Sequence, residues 1–242
     1  MADAVRVQKA LANAGLMSRR AAEEAIRDER VTVDGKKTRL GDRVDVSTQQ
    51  VTLDGVPIPV NPDLETHLLY KPVGVITSAS DPHGRRTVVD LVPSRARLYP
   101  VGRLDYDSEG LILLTNDGDL ANRVTHPRYG IEKKYLALVR GRPSPGDIRR
   151  LTDGVDLDDG PARAISARVV DRKADETMIE LTMGEGRNRE VRRMLETVGV
   201  DLKRLVRTAI GPINDRSLKE GESRRLSIGE IRQLLGSGSP GQ

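Results

Sequence analysis

Apolar residues recur along the first part of this chain at helical spacing and then at strand spacing. Between residues 5 and 28, Val7, Leu11 and Ala14 or Leu16 predict two short helices; Gly15 stops the first and Ser18 caps the second. VTVDG (31–35) and VTLDG (51–55) then predict strands, each closed by an Asp-Gly turn. Helix, helix, strand, strand in so few residues predicts a compact module. VPIPVNPDLE follows, and Pro57, Pro59 and Pro62 make it a stiff, extended linker.

Beyond it the apolar runs HLLYK, VGVIT, LYPVG, LILLT, KYLALV, ARVV and TMIELTM predict strands. DLANRVT, SPGDIRRLTDG, NREVRRMLETVG and SIGEIRQLL predict helices between them. Mixed lengths and hairpin-like turns point to an α+β fold: a mainly antiparallel mixed sheet with flanking helices, behind a small N-terminal helix-helix-strand domain. The expected boundaries are an N-terminal domain at 1–60, a linker at 61–66, a larger domain at 67–236 and a tail at 237–242, disordered by composition. No internal repeat is visible.

Composition sharpens this picture. The 242 residues are 37% hydrophobic but only 2% aromatic, with no Phe and no Trp, so the core rests on Leu, Val, Ile and Ala. Net charge is only +4 although 31% of residues are charged, which fits basic residues gathered locally. With no cysteine, disulfides and thiolate metal sites are excluded. MADAVRVQKA carries no apolar signal region, and no run approaches the ~20 residues of a membrane helix. A soluble, cytoplasmic protein without membrane contact is expected.

Two strings carry candidate chemistry. In VGRLDYDSEGLILLTNDGDL (101–120), Asp105 follows an apolar approach strand and precedes a second apolar run, so rigid elements hold it at a cleft. Asp107 and Glu109 are expected in a solvated turn; by itself, Asp105 also reads as a turn or cap. In GEGRNREVRRMLETVG (184–199), Val191, Leu195 and Val198 share a helix face, while Arg187, Arg189, Arg192 and Arg193 crowd the first turns. Such crowding opposes the helix dipole, and a phosphate-rich partner would relieve it; a solvated basic face is the plainer reading. In the N-terminal module Arg6, Lys9, Arg19, Arg20, Lys36, Lys37 and Arg39 bracket the helical turn and first strand turn, beside acids such as Glu23, Glu24 and Asp28. Tyr135, on a strand after two lysines in IEKKYLALVR, reads as a half-buried tyrosine.

GRLDYDSEGLILLTNDG, YKPVGVITS, DPHGRRTVVDLVP, EKKYLALVRG and EGRNREVRRML stand in one order along the chain, and together they resemble the rRNA pseudouridine synthases of the RsuA/RluB type. DPHGRRTVVDLVP is more similar to the large-subunit RluB branch. VRVQKALANAGLMSRRAAEEAIRDERVTVDG resembles the small RNA-binding domain named after the fourth small-subunit ribosomal protein. Ser108 stands where threonine is common, and Leu195 where an aromatic is frequent.

The resemblance implies an isomerase that turns a uridine of ribosomal RNA into pseudouridine with no cofactor and no metal. Asp105 takes the catalytic position, Tyr135 that of the active-site tyrosine, and Arg192 that of the arginine paired with Asp105. Arg103, Arg187, Arg189 and Arg193 would hold flanking phosphates. The implied partner is ribosomal RNA or a pre-ribosomal particle, met as a monomer. Asp105 has three routes open: attack on the sugar, addition to uracil carbon 6, or removal of the 2′ proton. A non-catalytic RNA-binding assembly factor would explain the basic residues but leaves Asp105, Tyr135 and Arg192 without a shared role. A DNA-binding regulator is weaker, since no long recognition helix is visible.

Overall fold

Val7, Ala10 and Leu11 lie one helical turn apart and are all buried, so the first helix packs along one face. The computed structural model describes residues 4–14, 16–46, 48–58 and 64–237. Gly15, Pro59, Pro62 and tail residues 238–242 lie outside these. The chain divides into two units, one of Met1–Glu65, Ser94–Leu98 and Asn116–Gly118, the other of Thr66–Pro93, Tyr99–Thr115 and Asp119–Gln242.

In the first unit, β1 (Val5–Arg6) leads into α1 (Val7–Asn13) and α2 (Arg19–Arg27). Ser18 caps α2, its hydroxyl accepting from the Ala21 amide at 3.1 Å. β2 (Val31–Val33), β3 (Lys36–Lys37), β4 (Arg43–Val44), β5 (Val51–Leu53) and β6 (Val56–Pro57) follow. Both Asp-Gly turns form: Asp34, Gly35, Asp54 and Gly55 all have positive φ, joining β2 to β3 and β5 to β6. Val7, Leu11, Ala22, Ile26, Val31, Val44 and Val51 close the core without an aromatic ring.

The second unit is built on one sheet. Its strands are β7 (Thr66–Lys71), β8 (Tyr99–Val101), β9 (Glu109–Thr115), β10 (Lys133–Arg140), β13 (Ser166–Arg172), β14 (Glu176–Met183), β15 (Leu202–Ile210) and β16 (Ser223–Arg225). They run in the order β13-β14-β10-β15-β9-β7-β16, with β8 also on β9; a separate hairpin pairs β11 (Val155–Leu157) with β12 (Gly160–Ala162). Every pair is antiparallel except β9 with β15. Helices α3 (Gly118–Thr125), α4 (Pro145–Asp153), α5 (Glu190–Thr197) and α6 (Ile228–Gly236) complete the α+β fold. Ser144 and Ser227 start α4 and α6 with capping boxes to Asp147 and Glu230. Leu68, Leu111, Leu113, Leu120, Val124, Ile210 and Leu234 share one core cluster.

Three local expectations are corrected. VGVIT forms no strand; Ile76 makes only an isolated bridge to Thr87. LKRLVRTAI, whose basic residues hide its alternation, is β15 and lies in the middle of the sheet. Glu109 is not solvated: it is 3% exposed and paired with Arg204.

β9 lies between β7 on one edge and two strands on the other: β8 covers its C-terminal half, β15 its first two residues. Residues 102–108 leave the sheet at that fork. The close approach of β15 depends on Gly110, which has φ +105°, and where a Cβ would sit 2.3 Å from the Arg207 carbonyl oxygen. Gly110→Ala is expected to destabilise the protein by about 3 kcal/mol in urea unfolding. Gly84→Ala, also at positive φ (+71°) but in open space, is expected to cost only about 1 kcal/mol.

Candidate active site

Residues 103–108 form no regular element, yet each of their carbonyl oxygens has a donor. Arg103 O accepts from Arg207 Nη1 at 3.2 Å, and Leu104 O from Thr77 Oγ1 at 2.6 Å. Asp105 O accepts from the Ser108 amide at 3.1 Å, and Tyr106 O from the Gly74 amide at 2.8 Å. Asp107 O accepts from Arg192 Nη2 at 2.7 Å, and Ser108 O from Lys71 Nζ at 2.7 Å. The loop is held from both sides. Lys71 is fully buried at the end of β7, and burial pushes its pKa down to about 8.

Asp105 opens from this loop onto a cavity of about 250 Å³, together with Ser108, Lys133, Tyr135, Arg192 and Arg207. Its carboxylate makes no ion pair or hydrogen bond with any described side chain. Tyr135 reaches the cavity because β10 alternates: Tyr135, Ala137 and Val139 are buried, with Lys133 in phase on the same side. Leu136 and Leu138 face the opposite way, into a wider groove of about 680 Å³. That groove lacks Asp105, Tyr135 and Arg192, so the smaller cavity is the candidate site.

Arg192 enters the cavity from α5 but does not pair with Asp105 as expected. Its Nη1 lies 3.3 Å from Asp107 Oδ2, and its Nε and Nη2 donate to Ser108 Oγ at 3.3 and 3.1 Å. Asp107 lies two residues further along the turn, and it also accepts two bonds of 3.1 Å from Arg189. Although burial opposes it, the Arg189 hydrogen bonds and the charges of Arg192 and Arg189 hold the Asp107 carboxyl below its usual range. Arg189 has φ +48°, a left-handed turn into α5.

The other arginines have partners of their own. Arg187 donates to Asp159, to Gly160 O at 3.2 Å, to Pro161 O at 2.8 Å and to Glu190. Arg193 makes a bidentate pair with Asp159 at 2.8 and 2.9 Å. Arg103, Arg187 and Arg189 line the cavity, whereas Arg193 does not.

Lys133 and Arg207, which the sequence pattern does not single out, also line the cavity. Burial, with the charge of neighbouring Arg207, pushes Lys133 down to about 8. The available signal for Lys133 was its two-residue offset from Tyr135. Arg207 lay in the overlooked strand.

Comparison with known proteins decides what this site belongs to. Residues 65–197 match the family described as RNA pseudouridylate synthase, and residues 5–49 match the S4 domain. An uncharacterized RNA pseudouridine synthase of Mycobacterium leprae is 47% identical, over 96% of this chain and 93% of its own. The ribosomal large subunit pseudouridine synthase B of Bacillus subtilis is 42% identical, over 95% of each chain. The chain belongs to the RNA pseudouridine synthases, in the RsuA/RluB-type group.

A solved pseudouridylate synthase has the same fold, with a TM-score of 0.66 at 28% identity, over 95% of this chain and 99% of that one. The RNA-binding S4 domain of the synthase carries the basic residues of the N-terminal module. Arg6, Arg19, Arg20 and Lys36 are exposed and Lys9 is half-buried. No helix among the described residues is long and apolar enough to cross a membrane.

The two arginines on Asp107 are expected to differ in weight. Arg189 and Asp107 are both about half exposed, so Arg189→Ala should cost the synthase under about 1 kcal/mol. Arg192 is 15% exposed in its side chain and also serves Ser108 and a backbone carbonyl. Arg192→Ala should cost about 2 kcal/mol, read by urea unfolding.

Proposed function

We propose that this synthase converts a uridine of large-subunit ribosomal RNA to pseudouridine, with Asp105 as its nucleophile or base. The observation that carries the reading is an unpaired carboxylate on a loop whose every carbonyl is pinned, facing a cavity lined by Tyr135 and Arg192. The reaction breaks the bond from uracil N1 to the sugar, turns the base and rejoins it through carbon 5. It is redox-neutral and needs a nucleophile or base, a site closed to water and a hold on the detached base. The RNA target is supported by the name of the 42% identical Bacillus relative.

The uridine leaves its stack to reach Asp105. Tyr135 offers a ring face for the base and a hydroxyl for the proton lost at carbon 5. Arg192 acts through Asp107 and Ser108 and fixes the turn that aims Asp105. Arg103, Arg187, Arg189 and Arg193 take flanking phosphates, Arg187 and Arg193 by exchange with Asp159. Arg6, Lys9, Arg19, Arg20 and Lys36 tether the RNA.

Asp105→Asn should abolish single-turnover isomerisation and leave RNA affinity unchanged; retention of about a tenth of the rate would rule out a catalytic role. Tyr135→Phe should keep binding and lose turnover. Mapping pseudouridine in ribosomal RNA from cells with and without the protein identifies the target, and an unchanged map overturns the reading.

Replacing Arg6, Arg19, Arg20 and Lys36 together by alanine in the full chain should raise the apparent substrate constant and reduce the salt slope by about 3–4. The rate at saturating RNA should hold. An unchanged salt slope would show that these side chains do not contact phosphate.

A further inference from the structure

Two cations in the Asp105 cavity make no ion pair with any acid among the described residues. Arg207 is 4% exposed; its Nε donates to Leu111 O at 2.6 Å and its Nη1 to Arg103 O, while Nη2 is buried without a partner. The β10–β15 register sets Arg207 opposite Tyr135, so both side chains lie on the same side of the sheet. Lys133 stands two residues before Tyr135 on that side, and its ammonium has no hydrogen bond or ion pair with any described residue. The acid whose charge reaches Lys133, Glu190, already accepts from the Arg187 amide and side chain. Two neighbouring, uncompensated, partly desolvated cations are a costly arrangement. A ligand that brings acceptors to them relieves that cost.

We propose that Lys133 and Arg207 form the site that holds the carbonyl oxygens of the flipped uracil and takes up the negative charge that develops there during isomerisation. This rests on the isomerase reading above. The burial of Arg207 selects the base over the phosphates: a flipped nucleotide enters base first, and its backbone stays at the mouth.

The chemistry is the same for each route open to Asp105. If the N1–C1′ bond breaks, its electron pair goes to N1 and is shared with O2 and O4. Removal of the 2′ proton expels the same uracil anion. If the carboxylate adds to carbon 6, the pair of the C5–C6 double bond moves onto O4. No proton leaves Lys133 or Arg207; fixed donors meet an oxygen as it becomes anionic. The same donors disfavour cytosine, whose exocyclic amine would meet a cation where uracil presents O4.

The test is a cycle between a side chain and a substrate atom. The substrates are synthetic RNAs spanning the mapped uridine, with uridine, 2-thiouridine or 4-thiouridine at the target; sulfur is a poor hydrogen-bond acceptor. In single turnover at saturating RNA, wild type should slow by about tenfold or more on one of the thio substrates. Lys133→Met should slow by at least about tenfold on uridine, with that thio substitution costing under about threefold more. RNA affinity and thermal unfolding should stay near wild type. Lys133→Gln, which keeps a donor without the charge, should fall between the two and serves if the methionine variant does not fold.

Equal losses for the variant on all three substrates would overturn the proposal, as would a wild-type rate in Lys133→Met. A loss confined to RNA affinity would assign Lys133 to a phosphate and overturn it as well. Absence of pseudouridine with the wild-type protein would instead refute the isomerase reading.

Discussion

Six consecutive carbonyl oxygens, from Arg103 to Ser108, govern where Asp105 can be. Loops carry function because they are free to vary, and that freedom blurs the position of a reacting group. Here the freedom is removed by donors from distant parts of the chain: Lys71, Gly74 and Thr77 on one side, Arg192 and Arg207 on the other. The turn therefore reaches its shape only when β7, β9, β15 and α5 are all in place. Two donors are buried cations, and the desolvation of Lys71 and Arg207 is a standing cost. Neutral donors would satisfy the same carbonyls. The charges therefore have a further effect, which is to make the surroundings of a lone carboxylate electropositive.

That electropositive character would tear at α5 if nothing balanced it. Arg189 and Arg192 share Asp107, while Arg187 and Arg193 share Asp159 beside the β11–β12 hairpin. The acids hold like-charged side chains close together. The Arg189–Asp107 pair is about half exposed on both sides and contributes little to stability, so in the proposed RNA complex a phosphate can replace that carboxylate at small cost. Arg192 and Arg187 are held further: Arg192 keeps its bonds to Ser108 and the Asp107 carbonyl, and Arg187 its bonds to the Gly160 and Pro161 carbonyls, whatever the acids do. The half-exposed Arg189 can exchange partners; Arg192 keeps the turn.

Much of this was legible in the sequence, for stated physical reasons. Apolar periodicity located both N-terminal helices and most strands, and the Asp-Gly pairs marked both hairpins. Asp105, Tyr135 and Arg192, grouped by the family resemblance and not by periodicity, come together at one cavity although 87 residues separate the first from the last in sequence. What stayed hidden shares a cause: charged residues that turned out to be inside. β15 was missed because Lys203, Arg204 and Arg207 mask an alternation that burial of Leu205, Arg207 and Ala209 makes plain. Glu109 looked solvated because a carboxylate next to glycine usually is, yet Arg204 on a neighbouring strand pairs with it. Such pairings are set by register, and register is a tertiary property.

The displaced arginine partner bears on reactivity. A carboxylate in a bidentate salt bridge has its oxygens occupied by donors and its lone pairs directed at them. Asp105 avoids that state. Lys71, Arg189 and Arg192 all feel its charge, but the direct contacts go to Asp107, two residues on. Asp107 thus takes the hydrogen bonds and leaves Asp105 with the field. That division suits the role proposed for Asp105, since the lone pair of a nucleophile or base must face the substrate while the charge it carries is still balanced. The sequence Asp-Tyr-Asp-Ser achieves it with spacing alone: one acid is turned toward the helix that supplies the arginines, and the other toward the cavity.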